Sequence, residues 1–289
     1  MATTYEFILW PNCRNNCTFC FQKEQMRCGK LKLLSIEEME KSIETTMLYL
    51  STYLPKGSNV MLVGGELFDT PQLHASLRTL LGMTTYLMAE QVIEELYVNT
   101  NLIYRQLSPV YHLLEMCEKC GVMDRLHLTT SYDFDGRFKN GTDTLMLRNL
   151  FDIPKSFHSC KLYVNTMLSK TCCEKILSKQ FSVKWFSEWY KCYVNLIPYI
   201  ELIPELTATR SEIIRTLQVV EEEMPGYVSD YITRMDINQD KRVLQYNSVT
   251  NEFDDCSCET APCGHSVNFQ RYSSNGSCYV CDMKRAFGL

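Results

Sequence analysis

The stretch WPNCRNNCTFCFQ, Trp10 to Gln22, sets Cys13, Cys17 and Cys20 at C-x3-C-x2-C spacing immediately after YEFILW (5–10), which reads as a strand. Three thiols so placed admit half of a zinc site, a redox pair with a spare, or the ligands of a cluster that needs only three. A structural zinc site takes four nearby donors, usually in two pairs, and the nearest histidine is His74. A redox pair of Cys17 and Cys20 would leave Cys13 surplus. An iron–sulfur cluster on three thiolates keeps one iron open to an outside ligand.

Outward from this loop, short β-rich segments alternate with amphipathic ones. Strands are expected at 5–10, 59–63, 95–99, 125–131, 161–166 and 193–197. Helices are expected between Ser35 and Leu54 and near 71–93, 104–120, 142–151, 169–180 and 209–224. Ser35/Glu38 and Thr209/Glu212 stand in capping-box spacing. Serial strand–helix units argue for a parallel sheet with right-handed crossovers. Six units fall short of the eight of a closed barrel, so a partial (β/α)6 TIM-type barrel competes with a doubly wound sheet. Either way, a ligand should sit at the carboxyl ends of the strands.

Composition narrows the classes. A net charge of −5 gives no electrostatic reason to expect a nucleic-acid backbone as partner. No apolar run is long enough to span a bilayer, and the first residues do not read as a signal peptide, so a cytoplasmic protein is expected. There disulfides are disfavoured, and the 15 cysteines cannot all pair. Cys28, Cys117, Cys120, Cys160, Cys172, Cys173 and Cys192 are scattered and read as buried or partly buried free thiols. The Trp185, Trp189 and Tyr190 aromatics, at near-helical spacing, read as core.

The ends of the expected strands carry further polar and glycine signals. Strand 2 runs into VGGELF, where Gly64 and Gly65 permit close backbone approach and Glu66 closes the turn. Strand 3 ends in YVNTN with Asn99, strand 4 in TTSYDFDG with Ser131 and Asp133, and strand 5 carries Asn165. Together with C-x3-C-x2-C after strand 1, this set resembles the radical S-adenosylmethionine (SAM) enzymes over roughly residues 5–200. The resemblance implies a [4Fe–4S] cluster on Cys13, Cys17 and Cys20, with SAM on the open iron and Phe19 as the aromatic residue before the last cysteine. It assigns SAM contacts to Gly64, Gly65, Glu66, Asn99, Ser131, Asp133 and Asn165. The family's TNG and SxDG endings are altered here, to Asn101 and by insertion of Phe134 and Asp135 before Gly136.

After residue 225 the texture changes. KRVLQYNSVTNEFDD and HSVNFQRYSSNGSCYVC each read as a hairpin, the second around Asn275-Gly276. Residues 226–289 are expected to be a small β-hairpin module beside a barrel domain at 1–225. The module carries Cys256, Cys258, Cys263, Cys278 and Cys281, and resembles the start of a SPASM/twitch extension. That resemblance implies one auxiliary [4Fe–4S] cluster on four of these five; a structural zinc site is the competing reading.

The resemblance implies an oxidoreductase-type enzyme that cleaves SAM reductively and abstracts hydrogen from a peptide or protein side chain. The second reading is a small-molecule or nucleoside substrate. An electron donor such as flavodoxin or ferredoxin is implied as partner. With strand 1 at residue 5, no leader-gripping N-terminal domain is expected.

Overall fold

The structure, a computed structural model, describes residues 3–15, 17, 20, 26, 32–104, 109–138, 142–198, 204–230, 243–247 and 252–255. Strands β1 (Thr4–Ile8), β2 (Ser58–Val63), β3 (Ile93–Asn99), β4 (Leu126–Ser131), β5 (Lys161–Leu168) and β6 (Tyr193–Pro198) are parallel and pair in chain order. Between and after them run α1 (Ile36–Thr52), α2 (His74–Ala89), α3 (Pro109–Lys119), α4 (Thr142–Ser156), α5 (Lys170–Leu177), α6 (Val183–Tyr190) and α7 (Arg210–Glu223). A doubly wound sheet reverses its strand order to put helices on both faces. This order never reverses from β1 to β6, so right-handed crossovers leave the helices on one side. They pack there as neighbours, α1 on α2, α2 on α3, α4 on α6 and α5 on α7. The fold is the partial barrel, and among the described residues no strand pairs with the outer edge of β6.

The period of two along each strand explains the two faces. Phe7, Val60, Leu62, Leu96, Val98, Leu128, Leu162, Val164, Val194 and Leu196 are buried and form the layer beneath the helices. The residues between them include Glu6, Glu95, Tyr97, Asn99, His127, Ser131, Tyr163, Asn165 and Asn195, which line the concave face. Polar and aromatic side chains on that face of β3 to β6 differ from the branched apolar layers that fill a closed barrel.

Beyond β1 the sheet continues with β7 (Val243–Asn247), parallel to β1, and β8 (Glu252–Asp255), antiparallel to β7. The first expected hairpin is thus present, and it extends the barrel sheet at β1. The second hairpin and the cysteines at 256, 258, 263, 278 and 281 lie outside the described residues.

Both capping boxes form: Ser35 and Thr209 each accept from the backbone of the glutamate three residues on, which answers to the cap's own N–H. Ser35→Ala should cost about 1 kcal/mol, read as a lowered urea midpoint at unchanged m-value. Elsewhere the sequence reading needs correction. The stretch 71–93 is a 3-10 turn (Pro71–Leu73) plus α2, and the chain leaves the helix through Gln91 at φ 58°. Trp185 and Trp189 are 55% and 54% exposed rather than core. The α6 helix turns Val183, Phe186 and Tyr190 inward instead, the i, i+3, i+7 stripe of an amphipathic helix. Of the scattered thiols, Cys117, Cys160, Cys172, Cys173 and Cys192 are buried, while Cys120 is exposed where α3 ends. Cys28 lies outside the described residues.

Candidate functional site

The loop after β1 and the turn after β2 interlock. Leu9 N–H donates to Val63 O at 3.0 Å, Gly65 N–H to Trp10 O at 2.7 Å and Glu66 N–H to Asn12 O at 2.9 Å. The Trp10 indole N–H returns a bond to Glu66 O at 3.1 Å. Strand-like pairing therefore carries on past the ends of both strands and holds the first cysteine against the glycine turn. The glycines are required by proximity, not by unusual torsions. A Cβ at Gly65 would lie 2.2 Å from Asn12 O and 2.4 Å from Pro11 O, and one at Gly64 2.7 Å from Trp10 O.

Asn12 also closes the base of the cysteine loop, donating to Leu34 O at 2.9 Å and accepting from Leu34 N–H at 3.0 Å. Arg14 N–H donates to Asp69 Oδ2 at 3.0 Å, tying the loop to the segment after β2. Cys13 is an exposed residue, yet protein crowds its thiol; burial, then the Asp69 and Glu66 carboxylates, push it up to about 12. A bare thiolate is disfavoured there, whereas a coordinating metal deprotonates a thiol outright. Cys17 is buried and packs with Cys20, Met167 of β5 and Leu206. Among the described residues no three metal-ligating side chains are brought into coordinating positions. Phe19 lies outside them.

Glu66 turns its carboxylate away from the loop and into the end of β3. It accepts from Phe68 N–H at 3.2 Å, from the Thr100 hydroxyl at 2.8 Å and from Asn101 N–H. Burial pushes its carboxyl up to about 7, with the three donors pulling it back. The β3 end is held further by Asn149 of α4, whose amide donates to Leu102 O at 2.6 Å and Tyr104 O at 3.0 Å. That clamp accompanies Leu102 at φ 56°, a left-handed conformation uncommon outside glycine and asparagine.

After β4, Asp133 and Arg137 form a buried pair, Arg137 Nε to Asp133 Oδ2 at 2.6 Å. Burial raises Asp133 and Arg137 pulls it back. Arg137 stays charged: burial opposes this, but Asp133 and the nearby sulfurs of Cys17 and Cys20 more than offset it. The inserted residues anchor this loop. Phe134 packs on Tyr132 and Phe181 at 5.5 and 5.2 Å between ring centroids, and Asp135 accepts from Ser169, the N-cap of α5. Arg137→Met should leave Asp133 buried and unpaired, costing about 3–5 kcal/mol at neutral pH. A urea titration series checks this: the deficit should shrink as the pH falls and Asp133 takes a proton.

Ser131, Asn165 and Asn195 stand in register across β4, β5 and β6, with Asn195 Nδ2 donating to Asn165 Oδ1 at 3.2 Å. Asn99 is exposed at the end of β3 on the same face. The structure thus gathers Cys13, Cys17, Cys20, Gly64, Gly65, Ser131, Asp133 and Asn165 at the carboxyl ends of the strands. Sequence reasoning missed Asn195 as a site residue, left Arg137 unassigned, and took Glu66 as a ligand contact. A signal for Asn195 was present: Tyr-Val-Asn recurs in β3, β5 and β6 as 97–99, 163–165 and 193–195.

Two buried polar atoms here have no hydrogen-bond partner, Asn15 Nδ2 in the cysteine loop and Asp133 Oδ1 after β4. Orphans of this kind fit a polar ligand between the loops. The solved structure of native anSMEcpe with bound AdoMet, a radical SAM enzyme, superposes on 81% of this chain with a TM-score of 0.51 at 10% identity. The chain has the radical SAM fold. A histidine-tagged form of the same enzyme, also with bound AdoMet, gives the same TM-score and coverage at 11% identity. This chain spans 62% of the length of those radical SAM structures. No family profile and no curated protein matches the sequence. Among the described residues no helix is long and apolar enough to cross a membrane.

Proposed function

We propose that this chain is a radical SAM enzyme that abstracts hydrogen from a peptide or protein side chain. The observation that carries the reading is the interlocking of the cysteine loop with Gly64-Gly65 at the strand ends of this fold. Cys13, Cys17 and Cys20 would hold a [4Fe–4S] cluster and leave one iron for SAM. Bound together, the two groups would supply the one-electron chemistry needed to attack an unactivated C–H bond.

The chain's own residues do the rest. Gly64 and Gly65 let the cysteine loop close onto the turn after β2, and Glu66 fixes that turn from behind. Arg137 brings a fixed positive charge beside Cys17 and Cys20, where the cluster would stand. Asn15 and Asp133 offer unsatisfied polar atoms to the ligand's polar groups. Asn99, Ser131 and Asn165 would contact SAM, and with Asn195 they line the concave face, while the apolar layer below keeps water to that face.

The peptide reading rests on the resemblance of the cysteine-bearing stretch after residue 255 to the start of a SPASM/twitch extension, whose enzymes often act on peptides. An auxiliary [4Fe–4S] cluster on four of Cys256, Cys258, Cys263, Cys278 and Cys281, an electron donor such as flavodoxin or ferredoxin, and a cytoplasmic setting belong to the same proposal. The test supplies enzyme, SAM and dithionite with perdeuterated cell extract split by size. Deuterium entering 5′-deoxyadenosine from the peptide and protein fraction supports the reading. Transfer only from the small-molecule fraction would replace it with a metabolite or nucleoside substrate.

A further inference from the structure

The repeated Tyr-Val-Asn has a second consequence. Valine faces the helices, so each tyrosine lies on the concave face two residues below its asparagine. His127 of β4 occupies the corresponding place between them, paired in register with Tyr97. The four rings stack in one line across four strands. Tyr97 and His127 are 4.4 Å apart at 20°, His127 and Tyr163 5.5 Å at 22°, and Tyr163 and Tyr193 5.4 Å at 24°.

The two ends of the line differ. At the inner end, the Tyr97 hydroxyl donates to Glu95, whose other oxygen lies 3.2 Å from His127 Nε2. Burial and the Glu95 carboxylate both keep the phenol protonated. At the outer end Tyr193 is 58% exposed, on the strand that terminates the sheet. Cross-strand ring pairs stabilise a sheet by themselves. Packing alone, however, does not call for oxidisable phenols at both ends or for a proton acceptor on the half-buried one.

We infer that Tyr97, His127, Tyr163 and Tyr193 form an electron path from the barrel interior to the surface, which quenches stray oxidants generated inside. The oxidant is a carbon- or oxygen-centred radical. It takes one electron from Tyr97 and one proton from water, leaving hydroxide, and becomes a closed-shell C–H or O–H compound. Tyr97 passes its phenolic proton to Glu95 as it loses the electron. An electron from Tyr193, relayed through Tyr163 and His127, restores Tyr97, which takes its proton back from Glu95. Tyr193 releases its own proton to solvent, which neutralises that hydroxide, and its radical takes a hydrogen atom from a solvent thiol, leaving a thiyl radical that pairs with a second one as a disulfide. In sum, one electron crosses the stack and one hydrogen atom's worth of reducing power enters at the surface.

The source of the oxidant rests on the radical-enzyme reading; the path does not. The test therefore needs no substrate. Full-length protein carrying 3-aminotyrosine at position 97, a deeper hole trap than tyrosine, is exposed to azide radicals from pulse radiolysis, which oxidise surface aromatics. The aminotyrosyl radical should form in the otherwise unaltered chain and lose most of its yield in Tyr193→Phe and in Tyr163→Phe. Tyr53→Phe, an exposed tyrosine outside the stack, should leave the yield unchanged. Unfolding midpoints of the Phe variants serve as the folding control, since each keeps its ring. Equal radical yields in all variants would show direct attack at position 97 and overturn the path, whether or not the chain proves to cleave SAM.

Discussion

Gly65→Ala is expected to take the site apart. The methyl group would sit 2.2 Å from Asn12 O, 2.4 Å from Pro11 O and 2.5 Å from Asn12 C, all backbone atoms. A flexible side chain could swing aside, but here either the β2 turn or the cysteine loop must move. Movement breaks the bonds from Gly65 N–H to Trp10 O and from Glu66 N–H to Asn12 O. The expected cost lies at or beyond the upper end of the about 1–3 kcal/mol typical of overpacking. SAM affinity should fall with it, because the displaced strand ends are the proposed ligand site. Equilibrium unfolding and SAM titration of the variant check both. Gly64→Ala should follow in the same direction with a smaller effect, its nearest obstacle being Trp10 O at 2.7 Å.

Glu66→Leu ranks second. Its apolar side chain would strand three donors in a buried site: the N–H groups of Phe68 and Asn101 and the hydroxyl of Thr100. At about 1–3 kcal/mol for each buried donor left without a partner, the loss should reach several kcal/mol. Glu66→Gln separates charge from shape. Because burial raises Glu66 to about 7, the fold favours its protonated form. The stability this group contributes is full below the ordinary carboxylate value and is lost as the pH rises through about 7. The swing is on the order of 3 kcal/mol. Glutamine mimics the protonated carboxyl and does not titrate. The stability of E66Q relative to the parent should therefore improve between about pH 5 and pH 8, and a flat difference would contradict the assigned burial.

The fold was legible because its periodicities are local. Apolar residues alternate on the strands, and Ser35-Glu38 and Thr209-Glu212 mark helix starts that form as read. The choice between a partial barrel and a doubly wound sheet was not local, since strand order is set by which crossovers pack together. The cysteine spacing and the paired glycines were visible in the sequence too, and the structure sets the loop that carries the one against the turn that carries the other. What escaped depended on direction. Glu66 ends a ligand-like turn, yet its carboxylate is drawn to the unsatisfied N–H groups of the next loop. Arg137 follows a strand end at no recognisable spacing and acquires meaning only when Asp133, Cys17 and Cys20 are beside it. Trp185 and Trp189 look like core residues by composition, but the α6 stripe of Val183, Phe186 and Tyr190 fills that role.

The most direct measurement is anaerobic reconstitution with iron and sulfide of the parent chain and of the triple variant Cys13→Ala, Cys17→Ala, Cys20→Ala. Iron counting and a 5′-deoxyadenosine assay with SAM and dithionite follow. The parent should form 5′-deoxyadenosine, and the variant should bind about four fewer irons and form none. Unchanged iron in the variant, or zinc in place of iron in the parent with no 5′-deoxyadenosine, would contradict a cluster on the loop after β1.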